Sequence, residues 1–339
     1  HTSTRDFYLD GIKRDCLPWP LDAVETTLAA DYVFAAECVS RNSYALSLLS
    51  DKPTVYDTGI LDYPLHALIG FDHDFMRYGD ISVSLRYRDR ILQLLKLYES
   101  ALDKNGFLPS RPTKWGMFLP AWSKRYRSSH WRGTPAYVQI MLYENWRIAA
   151  EFFDRWGDAA SAEKFRKMAG GLRSNIFKHF WDEKRGAFIN GYDKNGNPDT
   201  EISHYAQYWA ILAGIFPENA IANLFEKVIP NMPLYYEDIS IEKGYEILAY
   251  TKAGRTEEAQ ILGAVARRRP YAFPRKSLSE RVRGGQTQVL RQTFRFESLP
   301  RFVRRAADYR RGARSVRFSR NGQARRIYPK AQSRGLEVD

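Results

Sequence analysis

The chain has 339 residues, 44 % of them hydrophobic and 14 % aromatic, which is ample for a large core and excludes a disordered polar chain. Its formal net charge of +13 is uneven: residues 267–339 hold 19 Arg and 2 Lys against five acidic residues, a block at +16, so residues 1–266 stand at −3. A body of that sign has no overall charge attraction to nucleic acid or to an anionic membrane, and no run approaches the eighteen apolar residues of a membrane-spanning helix.

Cys16 and Cys38 are too few for a disulfide framework and lack zinc-site spacing, so they leave the compartment open. The chain opens on His1 with no signal-like segment, and an upstream continuation is expected.

Before the first helical pattern lies Asp10-Gly-Ile-Lys-Arg14-Asp15-Cys16-Leu-Pro-Trp19-Pro-Leu21-Asp22, with three carboxylates and an indole in thirteen residues. Sugar hydrolysis uses carboxylates to donate or position a proton and an aromatic face to hold the ring, and this stretch supplies both. A plainer reading has Asp10 and Asp22 capping backbone amides and Trp19 packed in the core.

From there apolar residues recur at three- and four-residue spacing in about ten segments: 21–39, 42–50, 61–78, 82–104, 134–156, 159–181, 201–215, 217–229, 239–253 and 255–266. They pair as five helical hairpins in series. At the third segment, Asp62 and Tyr63 are candidates for a barrel mouth or, equally, an N-cap and a core tyrosine. Within it, Asp72-His73-Asp74 reads as a solvated helix face, because consecutive helical residues point in different directions and cannot share a metal. The irregular stretch 107–133 carries Trp115 and Trp122, each as well suited to stacking on a sugar as to plain packing.

The fifth segment has Thr134 as expected N-cap, Pro135 as first helical residue and Gly157 as stop. Gly186 to Asn190 and Asp193 to Gly196 read as one two-stranded ribbon around a turn. His204 then opens a helix near Tyr205 and Gln207, as a cavity residue or a structural histidine.

The Asp10 to Asp22 motif followed by paired helices resembles the catalytic domain of the α-L-rhamnosidases of glycoside hydrolase family 78. Supporting pieces are Ile60-Leu61-Asp62-Tyr63 with Tyr78-Gly79-Asp80, Phe180-Trp181-Asp182-Glu183, and Tyr245-Glu246 with Lys252-Ala253-Gly254-Arg255. The resemblance covers about residues 6–265 and implies an all-α (α/α)6 barrel of six hairpins. It also implies inverting hydrolysis of terminal α-L-rhamnosyl residues, no cofactor or metal, and β-rich domains upstream. Carried over position by position, Asp15 is the general acid, with Trp19 and Asp22 at the family's spacing, Asp10 a further substrate contact and Arg14 beside the acid. Leu21 and Cys16 depart from the residues common there.

An acid with an ordinary carboxylate pKa is ionised at neutral pH, so Asp15 needs desolvation by Trp19 and repulsion from Asp10 and Asp22. The family's base glutamate, after the fifth hairpin, has no match beyond Ala266. Glu237, Glu242 and Glu246 are the nearest acids, and no base is assigned.

Two domains are therefore expected: a six-hairpin glycosidase-like body, residues 1–266, and an Arg-rich tail, residues 267–339, beginning where the last hairpin would close the ring. The composition of the tail matches a GC-rich coding sequence read out of frame. The expected partner is a carbohydrate, with no specific nucleic acid and no membrane. Two other readings remain, an inactive sugar-binding relic and a polyanion binder acting through the tail.

Overall fold

The structure, a computed structural model, describes residues 8, 20–33, 37–46, 48, 62–110, 133–232 and 242–268. The chain divides into two units, His1–Ser279 and Glu280–Asp339, and every described residue belongs to the first.

The described residues are mostly helical with small β-ribbons. In chain order the helices are α1 (Pro20–Val33), α2 (Glu37–Leu46), α3 (Tyr63–Tyr78), α4 (Ser82–Arg86), α5 (Arg88–Ala101), α6 (Ala136–Arg155), α7 (Ala159–Phe180) and α8 (His204–Leu212). After α8 come α9 (Glu218–Asn223), a π turn (Leu224–Val228), α10 (Ile229–Asn231), α11 (Glu242–Lys252) and α12 (Thr256–Arg268). The strands are β1 (Thr134–Pro135), β2 (Trp181–Asp182), β3 (Ala187–Phe188), β4 (Gly191–Tyr192) and β5 (Pro198–Asp199).

Two sets of helices can be told apart by their partners. Helices α1, α3, α6, α8 and α11 pack each against the next, and α11 comes back to α1, where Gly244 faces the Glu25 carboxylate. These are the inner helices. Against them lie α2 on α1 and α3, α7 along α6, and α12 along α11. Each of these outer helices follows its inner partner in sequence, the hairpin order expected from the periodicity.

Burial follows this division. Outer helix α7 buries Ala162, Phe165, Ala169, Leu172, Ile176 and Phe180, a stripe at three- and four-residue spacing, and exposes the charged residues between them. Its start is fixed by Asp158, whose carboxylate accepts from the Ser161 amide at 3.0 Å. Inner helix α3 is instead buried without a break from Tyr63 to Asp72. Gly70 makes this closeness possible, since a Cβ there would stand 2.5 Å from the Tyr44 ring of α2.

Four local expectations are corrected. Pro135 is not the first residue of α6; it is extended (φ −72°, ψ 136°) and pairs with Gly191, which makes Thr134 part of a strand. The single ribbon is two: β2 pairs with β3, and β4 lies between β1 and β5, with Asp193 to Asn197 as the turn. Gly191 permits that crossing, for its φ is +133° and a Cβ would meet the Thr134 carbonyl oxygen at 2.3 Å. Segment 82–104 is broken at Tyr87 (φ −103°, ψ 13°), whose ring packs on Phe71.

The fourth is Asp72-His73-Asp74, which is not a solvated face. Asp72 and Asp74 are buried because α3 is covered from both sides, and Asp74 accepts a hydrogen bond from Arg41 Nε of α2 at 2.9 Å. Asp72 faces Arg147 and Arg155 of α6 together with Glu144 and Glu151.

Candidate active site

The first turns of the five inner helices meet at one end of the bundle. Tyr137 of α6 donates its hydroxyl to Asp62, just before α3, at 2.9 Å, and its ring lies 5.8 Å from that of Tyr205 in α8. Tyr245 of α11 shares a 3.1 Å hydrogen bond with His66 Nδ1 of α3 and lies 4.8 Å from the Trp209 ring of α8. Glu246, the next residue of α11, accepts from the Tyr208 hydroxyl at 2.8 Å. On α1, Asp22 and Glu25 stand one turn apart on the same face, and both act on the Tyr245 phenol.

Two buried glutamines tie the incoming chain to this end. Gln139 of α6 accepts from the Leu108 amide at 2.7 Å and donates to its carbonyl at 3.0 Å. Gln207 of α8 does the same for Phe188, at 2.9 and 2.6 Å. A primary amide offers a donor and an acceptor at once, so each completes a strand-like pair without a second strand.

Tyr245 is buried among Glu25, Asp62 and Asp22; burial first, and those carboxylates second, push its phenol well above the usual tyrosine range. His66 is fully enclosed, and burial, reinforced by His73, brings its imidazole down to about 3. Both are therefore uncharged at neutral pH. The result is a group of carboxylates around a neutral donor and acceptor pair. Such a surface suits hydroxyl-rich ligands and favours positive charge developing on a bound ring. Among the described residues there is no group of three His, Cys, Asp or Glu side chains arranged to hold a metal ion.

Of the residues singled out in sequence, Asp10, Arg14, Asp15, Trp19, Trp115 and Trp122 lie outside the described residues, as does Glu237. Asp22 is half-buried in the first turn of α1, close enough to Tyr245 to act on its phenol. His204 opens α8, buried, with its ring 4.0 Å from Tyr205 and 5.7 Å from Tyr208. Asp62 occupies the N-cap position of α3, but its side chain makes no cap hydrogen bond there and accepts one from Tyr137 instead. Periodicity does not single out His66, Glu25 and Tyr137. The spacing of Glu25 from Asp22 and of His66 from Tyr63, three residues each, is the signal that places them on the same helix faces.

The trehalase family model matches residues 134–254, from β1 to just past α11. Solved structures with similar coordinates include a rhamnosidase from Klebsiella oxytoca with rhamnose bound (TM-score 0.60, 19 % identity, covering 77 % of this chain and 52 % of that one). A family 78 rhamnosidase of Bacillus sp. GL1 matches at TM-score 0.64 and 19 % identity, over 78 % of this chain and 28 % of that one. An α-L-rhamnosidase from Dictyoglumus thermophilum matches at TM-score 0.52 and 14 % identity, over 76 % and 29 %. The likeness is one of fold. At these identities the common ground is a mostly helical fold with small β-ribbons. The chain spans about half the length of the Klebsiella protein and under a third of the other two. No curated protein matches the chain.

Proposed function

We propose that this chain is a glycoside hydrolase whose site lies where the inner helices begin. The observation that carries the reading is the gathering of Asp22, Glu25 and Asp62 around the neutral Tyr245 and His66 at the end where the 10–19 motif runs into α1. The fold likeness to rhamnosidases and the trehalase family match support the same class of chemistry.

In the finer reading the substrate is a terminal α-L-rhamnoside. Asp15, raised by Trp19 and its acidic neighbours, gives its proton to the departing glycosidic oxygen; Trp19 holds the ring face; Asp10, Arg14 and Asp22 hold hydroxyls. Trp115 and Trp122 extend the aromatic platform, and His204 backs the Tyr205 and Tyr208 side. Water then attacks the opposite face of the anomeric carbon in a single displacement, which asks for a second carboxylate about 6.5–9.5 Å from the acid. No residue is assigned as that base. The body, residues 1–266, is the glycosidase unit of a six-hairpin barrel whose last hairpin is missing or disrupted, and residues 267–339 are an Arg-rich tail.

A second reading is favoured by the family match over residues 134–254: an α-glucoside of the trehalose kind as substrate. Both are tested by incubating the protein with 4-nitrophenyl α-L-rhamnoside and, separately, with trehalose, and following the anomer first released by proton NMR. Release of rhamnose as the inverted anomer is expected, with a loss of about 10²- to 10⁴-fold in Asp15→Asn. Release of glucose alone would establish the second reading, and turnover of neither would overturn both.

A further inference from the structure

His66 is 2 % exposed and makes one hydrogen bond, through Nδ1 to the Tyr245 hydroxyl; among the described residues its Nε2 makes none. An imidazole that stays neutral has one donor and one acceptor nitrogen, and a bond at one nitrogen fixes the role of the other. Nε2 is thus left with a single defined hydrogen-bonding role and, among the described residues, no protein group to meet it.

Packing alone does not call for a histidine there. The ring sits against Tyr63 at 6.4 Å and 88°, Trp209 at 5.7 Å and 67°, and Tyr245 at 5.9 Å, contacts that a phenylalanine would make without losing hydration. Three inner helices contribute these rings, so His66 stands where α3, α8 and α11 meet. Beside it are Asp22, Glu25 and Asp62, which share Tyr245 with it. A ring nitrogen with no protein partner among the described residues, in a side chain flanked by aromatic rings and bordered by carboxylates, has the composition of a sugar subsite: flat faces for C–H groups and polar atoms for hydroxyls.

Resting on the glycosidase reading, we propose that His66 is a sugar-binding residue whose Nε2 takes one hydroxyl of the glycone, and that Tyr245 is the positioning residue that fixes the imidazole for it. Because the imidazole remains uncharged, it contributes orientation without opposing positive charge on the ring in the transition state. Tyr245 acts through Nδ1: its hydroxyl decides whether Nε2 presents a proton or a lone pair. Its loss leaves Nε2 in place but free to change tautomer.

The test uses the full chain. In ¹⁵N NMR of the histidine side chains, saturating L-rhamnose and, separately, glucose are added; the Nε2 resonance of His66, assigned by its loss in His66→Gln, is expected to shift with one of them. Kinetics on 4-nitrophenyl α-L-rhamnoside and trehalose, with melting temperatures alongside, are then compared for wild type, His66→Gln, His66→Phe and Tyr245→Phe. His66→Phe is expected to raise KM about tenfold with kcat changed less, and His66→Gln, which keeps a polar atom, to stay within about threefold of wild type. Tyr245→Phe should fall between them. An Nε2 signal unmoved by either sugar in a protein that turns over glycoside overturns the subsite and leaves the glycosidase reading standing. A folded His66→Phe variant with the wild-type KM overturns the subsite in the same way. Should the wild type neither bind nor hydrolyse any of these sugars, the glycosidase reading falls and the subsite with it.

Discussion

Helices α3 and α7 are both neighbours of α6, and they bury themselves by different rules. α7 hides one stripe and exposes the rest, so its sequence repeats the 3.6-residue period almost without interruption. α3 lies between other helices, buries ten consecutive residues and carries polar groups inside, among them His66, Asp72 and Asp74. The difference shows what an inner helix of a layered bundle must do: along its buried length, each polar side chain needs a partner on another helix. Asp74 has Arg41, Asp62 has Tyr137, and Asn145 of α6 donates to the Leu65 carbonyl at 3.1 Å.

That contrast can be broken at the contact between the two kinds of helix. Trp146 of α6 stacks on Phe165 of α7 at 5.6 Å and 14°, and both are buried. Trp146→Ala should cost about 3–5 kcal/mol in urea unfolding, since it removes the apolar knob that joins an inner helix to its outer partner. A value under about 1 kcal/mol would mean the two layers are held elsewhere.

The pairing rule inside α3 is sharpened next by Arg41→Met. It leaves the Asp74 carboxylate, 2 % exposed, without its guanidinium, and the expected loss is about 3 kcal/mol at pH 7. Adding Asp74→Asn should restore most of it; if the double variant is as unstable as the single one, the stacking of the Arg41 guanidinium over the Tyr78 ring is what matters.

Asp72→Asn should act in the opposite direction. Burial pushes the Asp72 carboxyl up to about 6, with Glu144 and Glu151 adding to it and Arg147 opposing. A native pKa above the unfolded one means the ionised form is disfavoured in the fold, a cost in full above pH 6 that fades as the pH drops through 6 toward 3.8. The asparagine variant is therefore expected to be more stable by about 2 kcal/mol at pH 7, with the gain gone near pH 4. Equal stabilisation at pH 7 and pH 4 would show that charge is not the cause.

The smallest effect belongs to the outer layer. Lys164 of α7 and Glu99 of α5 meet at 2.6 Å with both side chains substantially exposed, and Lys164→Ala should change stability by less than about 0.5 kcal/mol. A loss above about 1 kcal/mol would make the two layers alike in their reliance on ion pairs.

The hairpin order is legible because outer helices write their stripe into the sequence and because stops such as Gly79 and Gly157 stand where the period ends. The ends of the helices are less so: tertiary pairing with β4 makes Thr134 and Pro135 a strand, against local capping preference. The candidate site divides in the same way. Asp22 can be named from spacing within a motif, but Asp72 to Asp74 reads wrongly as solvated, since a run of charged residues looks the same whether water or Arg41 and Arg147 face it.

Sequence by itself determined which segments become helices, their pairing along the chain, and the segregation of the basic charge into residues 267–339, because these depend on period, punctuation and composition. Only the tertiary structure decided that His66, Tyr245 and Trp209 share one centre and that Glu25 and Asp62 stand beside them. The physical reason is distance along the chain: His66 and Tyr245 are 179 residues apart, and no local pattern encodes a hydrogen bond that forms only when the inner helices close on one another.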